Sequence, residues 1–234
     1  IRYCRNIGNG ASKYKGLLIA ADHFASAFEE DSINVYNDTM FASPDISFYM
    51  DKMRKNKLYH LSKKQHNFKE SHTIVIAPTG AGKTDYLLRR TTNRIFYVLP
   101  YQASINSMYH RFKETMNSTN IRVLHGASNI TIYTDAFDET YNTNITLQKM
   151  VGASIKVLTP HQLANIIFGL KGYESIMLDV ANTDVILDEI HTYHDISHSM
   201  IIEIIKVLKK LKCNIHIGTA TMPEILYKKI LKLL

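Results

Sequence analysis

The chain has 234 residues, 45% hydrophobic and 21% charged, with a net charge of +7. That length can bury a large core, and no apolar run reaches the roughly 20 residues that span a bilayer. Cys4 and Cys213 lie far apart without metal-ligand spacing, which excludes a disulfide scaffold and predicts reduced thiols in a cytoplasmic protein. The basic balance favours a polyanionic partner, although clusters such as Lys206 to Lys212 read individually as solvated faces. The opening Ile1-Arg-Tyr-Cys4 has neither an initiator Met nor an apolar signal region, so a piece of a longer protein is expected.

In chain order, Leu17, Leu18, Ala21, Phe24, Ala25 and Phe28 recur at helical spacing, predicting a helix from about 14 to 30 that buries this face. Residues 31–62 lose that period and contain the loop-like Asp31-Ser-Ile-Asn34 and Ala42-Ser-Pro-Asp45, so a linker with one short helix near 45–60 is expected. From Thr73 onward short β-rich runs alternate with helix-length segments. Strands are predicted at Thr73–Ala77, Arg94–Leu99, Arg122–Leu124, Ile155–Thr159, Thr183–Leu187 and Asn214–Thr219, and helices at 83–91, 102–117, 160–169, 196–212 and 223–234. This alternation predicts an α/β fold, a mostly parallel sheet with helices on both faces and a ligand site at the carboxyl ends of the strands. The polar segment 126–150, rich in Asn and Thr, carries no assignable element.

The first strand runs into Ala77-Pro-Thr-Gly-Ala-Gly-Lys-Thr84, a glycine-rich turn followed by a helix. Such a turn aims backbone N–H groups at a polyphosphate, with the positive end of the helix behind it. Thr79, Gly80, Ala81, Gly82, Lys83 and Thr84 are therefore the candidate nucleotide-binding residues, Lys83 reaching the phosphates and the Thr84 hydroxyl holding Mg2+. The full phosphate-loop pattern has a glycine where this chain has Ala77, so the match is to the core Gly-x-Gly-Lys-Thr. The apolar strand Thr183-Asp-Val-Ile-Leu187 delivers Asp188 and Glu189 at its carboxyl end, where one carboxylate can complete a magnesium shell and its neighbour can polarise water. Asp188 is assigned to magnesium and Glu189 to general base.

Asp188-Glu-Ile-His191 followed by Thr219-Ala-Thr221 resembles motifs II and III of superfamily 2 helicases. In the same order, Pro100-Tyr-Gln102 is similar to motif Ia, and Leu158-Thr-Pro160 to motif Ib, which contacts the nucleic-acid backbone in that superfamily. The resemblance implies a RecA-like P-loop domain at 63–234, catalytic roles for Lys83, Asp188, Glu189 and His191, adenine recognition by Gln65, and nucleic-acid contact or coupling by Pro100, Thr159, Thr219, Ala220 and Thr221.

Asp188-Glu-Ile-His-Thr-Tyr193, Tyr97-Val-Leu-Pro100 and Ile105-Asn-Ser-Met-Tyr109 resemble the corresponding segments of the CRISPR-associated helicase–nuclease of type I systems. Gly16-Leu-Leu-Ile-Ala-Ala-Asp-His-Phe-Ala-Ser26 is similar to the last helix of that family's HD phosphohydrolase domain, in which an aspartate ligates the catalytic metal. The resemblance implies that residues 1–30 close an HD domain, that 31–62 is a linker, and that Asp22 is one ligand of a divalent transition metal held by the complete HD domain. It further implies ATP and Mg2+ as cofactors, single-stranded DNA, a Cascade-type CRISPR surveillance complex and a protein inhibitor as partners, and no membrane. The remaining HD ligands and the second RecA-like domain with its arginines fall outside these residues, so nucleotide binding with little turnover and no nuclease activity is expected of this chain alone. A DExH RNA or DNA-repair helicase shares the motifs, as does a nucleotide-gated docking module without turnover.

Overall fold

A computed structural model describes residues 11–27, 40–51, 58–64, 70–116, 119–124, 150–192 and 196–234. The elements are α1 (Ala11–Ala27), α2 (Ser47–Met50), a 3-10 turn (Leu61–Lys63), β1 (Thr73–Ile76), α3 (Lys83–Leu88), β2 (Ile95–Val98), α4 (Gln102–Thr115) and β3 (Ile121–Leu124). They continue with β4 (Ile155–Leu158), α5 (Pro160–Phe168), α6 (Tyr173–Val180), β5 (Asp184–Leu187), a 3-10 turn (Ile190–Thr192), α7 (Ile196–Lys210), β6 (Asn214–Thr219) and α8 (Glu224–Leu231).

Period-two alternation builds the layers. Along β2, Ile95 and Tyr97 join Leu87, Leu88, Ile105 and Phe112 in one core, while Phe96 and Val98 join Leu163, Ile201, Ile205 and Ile217 in the other. Every residue of β2, β4 and β5 is buried, as a parallel sheet covered on both faces requires. All five strand pairings are parallel and the order is β1-β6-β5-β2-β4-β3. The six expected strands and the α/β class are thus present, with a single strand separating β1 from β5. No helix among the described residues is long and apolar enough to cross a membrane.

Three expectations change. α1 forms, but Leu17, Leu18, Ala21 and Ala25 are exposed, and the buried positions are Gly16 and Ala20. The cause is a close crossing with α6: a Cβ at Gly16 would lie 2.7 Å from the Glu174 carbonyl oxygen, and Lys15 pairs with Glu174 at 2.6 Å. Small residues therefore decide which face docks. Phe28 lies outside the described residues. The second change is α6 itself, which has no counterpart among the expected helices. It buries Glu174, Ser175 and Asp179, so polar residues occupy inward positions that an apolar period would have marked.

Third, the described parts of the stretch expected as a linker pack on the α/β body. Tyr49 is buried and its hydroxyl bonds Thr115 Oγ1 at 3.0 Å, while the Asp45 N–H donates to Thr119 Oγ1 at 3.2 Å. One buried aromatic anchors the segment, which no periodic pattern announces.

Beneath the sheet, Asp179 on α6 accepts from Arg94 Nη1 (2.8 Å), Lys156 Nζ (2.6 Å) and the Gly152 N–H (2.9 Å). Burial alone would raise this carboxyl, but Lys156 and Arg94 together with the Gly152 amide hold it below the ordinary carboxylate range. Removing the charge strands two buried cations, so Asp179→Asn should lower unfolding free energy by about 3–5 kcal/mol in urea titrations. Because the folded-state carboxyl is depressed, the stabilisation is present above the unfolded value near ~3.9 and lost as pH falls through the folded one. The wild-type urea midpoint should accordingly drop below about pH 4 more steeply than that of Asp179→Asn.

Candidate functional site

The loop after β1 is shaped by two left-handed glycines, Gly80 (φ 79°) and Gly82 (φ 90°). At Gly82 a side chain is excluded twice over, since a Cβ would meet Ser62 Oγ and Tyr59 Cβ at 2.8 Å. The 3-10 turn at 61–63 supports the loop from outside. The Leu61 N–H donates to the Ala81 carbonyl (2.9 Å), Ser62 Oγ donates to Asp85 Oδ2 (2.6 Å), and Arg89 Nη2 returns to the Leu61 carbonyl (2.8 Å). Arg111 on α4 grips the other Asp85 oxygen at 3.1 Å. Inside the loop, Lys83 is buried and its amine donates to the carbonyls of Ala77 (2.9 Å) and Pro78 (3.2 Å). The amine is thereby held by two neutral carbonyl acceptors.

Asp188 follows β5 and is 5% exposed. Its Oδ1 accepts the Glu189 N–H (2.9 Å) and its Oδ2 accepts the Tyr97 hydroxyl (2.6 Å). Burial pushes the Tyr97 phenol well above its usual range, and the Asp188 charge pushes it further, so this group is a permanent donor. Gly218 on the neighbouring β6 makes room for the carboxylate: a Cβ there would lie 2.6 Å from Asp188 Oδ1 and 2.7 Å from Leu87 Cδ1. A glycine inside a strand commonly marks such close approach.

Glu189 has φ +59°, a left-handed conformation that costs a non-glycine residue about 1–2 kcal/mol. The kink turns its carboxylate toward His191, with Oε2 3.4 Å from Nε2. The other ring nitrogen lies 3.1 Å from Thr219 Oγ1 and 3.4 Å from the Ala220 N, and Thr219 Oγ1 donates to the Thr221 carbonyl at 2.6 Å. Glu189, His191 and residues 219–221 thus form one connected strip along the β5 and β6 ends.

A cleft of about 460 Å3 opens over this edge, lined by Thr84, Asp188, Glu189, Pro100 and Arg111 among others. Four of the expected site residues, Thr84, Pro100, Asp188 and Glu189, meet there, and Lys83 lies beside the loop that borders it. Thr79 and Gly80 stand at the exposed loop tip. Thr159, by contrast, is buried ahead of α5 and does not line the cleft. Asp22 is exposed on α1, and no cluster of three or more His, Cys, Asp or Glu side chains able to hold a metal occurs among the described residues. Gln65 lies outside the described residues. Sequence reasoning missed Tyr97 and Gly218; the signals were a hydroxyl in an otherwise apolar strand and a glycine inside another.

The donor set fits a hard divalent cation beside a polyphosphate. Thr84 and Asp188 offer oxygen only, the carboxylate is held open by Gly218, and the Lys83 amine stands within the same loop.

A DEAD/DEAH box helicase family model matches residues 61–228. The chain is 21% identical over 215 residues to a candidate CRISPR-associated nuclease/helicase Cas3 of Methanocaldococcus jannaschii, covering 84% of this chain and 29% of that protein. With the CRISPR-associated nuclease/helicase Cas3 of Methanothermobacter thermautotrophicus it shares 23% identity over 159 residues, covering 64% and 19%. The chain therefore spans less than a third of the length of either relative. The crystal structure of T. fusca Cas3-ADP superposes with a TM-score of 0.63 at 18% identity, over 83% of this chain and 24% of that one, a likeness of fold.

Because the Asp188 carboxylate fills the space beside Gly218, Gly218→Ala should lower stability by about 1–3 kcal/mol, read as a shift in urea midpoint. An unchanged midpoint would show that the carboxylate does not depend on this vacancy.

Proposed function

We propose, from the premise that this chain belongs to the DEAD/DEAH box helicase family, that it is the first RecA-like lobe of an ATP-dependent, CRISPR-associated nuclease–helicase that moves on single-stranded DNA. The observation that carries the reading is the convergence of Thr84, Asp188 and Glu189 on one cleft at the strand ends, beside the loop that holds Lys83. Names of the archaeal relatives support the CRISPR association.

Lys83 would leave the Ala77 and Pro78 carbonyls for phosphate oxygens, exchanging neutral acceptors for charged ones. Thr84 and Asp188 would hold magnesium, which when bound supplies neutralisation of the phosphate charge. Glu189, fixed by its left-handed backbone, would orient water and accept its proton. His191 joins that carboxylate to Thr219, Ala220 and Thr221, so a change at Glu189 is felt along the β6 end. DNA would lie across the strand ends and be held through phosphates, near Pro100 and Thr221. Since Thr159 is buried, contact in its neighbourhood falls to the backbone and to exposed His161.

In the whole protein, α1 with Asp22 would close an HD nuclease domain whose other ligands complete a transition-metal site. A second RecA-like lobe would bring arginines to the cleft, and a surveillance complex in the cytoplasm would deliver the DNA. These assignments rest on the family resemblance and on the relatives' designation as nuclease/helicase.

Lys83→Ala should weaken ATP and ADP binding at least a hundredfold by calorimetry while leaving the circular dichroism spectrum unchanged, and retained affinity would remove the phosphate-loop assignment. For the whole protein, affinity for single-stranded DNA should fall steeply between about 50 and 200 mM salt, with no matching preference for RNA. A flat salt profile, or unwinding confined to RNA, would contradict the DNA reading.

A further inference from the structure

Tyr97 is a fully buried residue of β2, three residues before Pro100, and its ring packs edge-on against Phe112 with centroids 5.4 Å apart and planes at 74°. Packing would be served equally by phenylalanine. The hydroxyl, however, is engaged: it donates to Asp188 Oδ2 at 2.6 Å in a buried contact. It therefore ties β2 to the carboxylate that follows β5.

That position has a chemical consequence. Passing its own hydrogen to Asp188, the phenol fills one acceptor position on Oδ2, while the Glu189 amide fills one on Oδ1. The carboxylate plane is thereby fixed, with Oδ1 seated where a Cβ at Gly218 would stand. Outer groups of this kind set the orientation of metal ligands, and losing one typically costs about 10- to 100-fold in metal affinity.

We propose that Tyr97 is a positioning residue for the magnesium site, orienting the Asp188 carboxylate toward the cation through a single buried hydroxyl. The inference rests on the nucleotide-binding reading above and assigns a residue that the phosphate-loop and Asp-Glu motifs do not include. Its role is not catalytic, since Tyr97 sits behind the cleft rather than in its lining.

The test is binding of a fluorescent ADP analogue to the full chain, titrated with Mg2+ and repeated in excess EDTA. Tyr97→Phe should raise the Mg2+ concentration for half-maximal enhancement about 10- to 100-fold, with affinity in EDTA unchanged. Phe112→Leu serves as the packing control: it should lower the melting temperature yet keep the wild-type Mg2+ dependence. If Tyr97→Phe does not fold, Tyr97→Met lacks the hydroxyl while its flexible chain fills the space, and the same shift is expected. Wild-type Mg2+ dependence in either folded variant, or an equal shift in Phe112→Leu, overturns the proposal. A wild-type chain that binds no nucleotide in either buffer overturns the nucleotide reading itself and this assignment with it.

Discussion

The buried Asp188 carboxylate is the constraint around which the site is arranged. A polar group with little access to water must be met by partners, and here the donors come from the next residue's amide and from a phenol on the adjacent strand β2. Meeting that need fixes the register of β5 against β2, in which Tyr97 pairs with Ile186 and Val98 with Leu187. It also fixes what β6 can carry opposite Asp188, because only glycine leaves space there. The sheet order then sets the distance to the glycine-rich loop: with β6 alone between β1 and β5, the loop after one strand and the carboxylate after the other share an edge.

Backbone strain at Glu189 fits into the same frame. A left-handed residue persists only where its surroundings determine it, and the Asp188 side chain does so by accepting the Glu189 N–H. The same kink places the Glu189 carboxylate by His191, whose ring reaches Thr219 at the end of β6 and Ala220 just after it. The carboxylates and the β6 end are thus linked by short polar contacts rather than by a long relay. A rearrangement at any of them has a direct route to the others.

Much of this was legible in the chain. The glycine-rich loop after β1 and the Asp-Glu pair after β5 are local signals, each a strand followed by a few residues with particular chemistry, and the alternation of strands and helices announced the parallel sheet. What was not legible depends on partners distant in sequence. Tyr97 looks like any strand aromatic until Asp188 is placed beside it. The face of α1 that docks is chosen by Gly16 against Glu174, so the larger apolar residues Leu17 and Leu18 misled. α6 was hidden because Asp179 and Glu174 point inward to cations on other elements. The support of the loop by residues 59–62 was hidden for a related reason: its signal is a contact with Gly82 rather than a pattern.

The central claim is that the loop holding Lys83 and the carboxylates after β5 act on one phosphate–metal unit. A crystal structure of the chain with a non-hydrolysable ATP analogue and Mn2+, located by its anomalous scattering, tests it most directly. The account predicts a manganese peak between the Thr84 hydroxyl and the Asp188 carboxylate, with the Lys83 amine moved from the Ala77 and Pro78 carbonyls onto phosphate oxygens. A nucleotide bound elsewhere, or a metal peak that neither Thr84 nor Asp188 approaches, would contradict it.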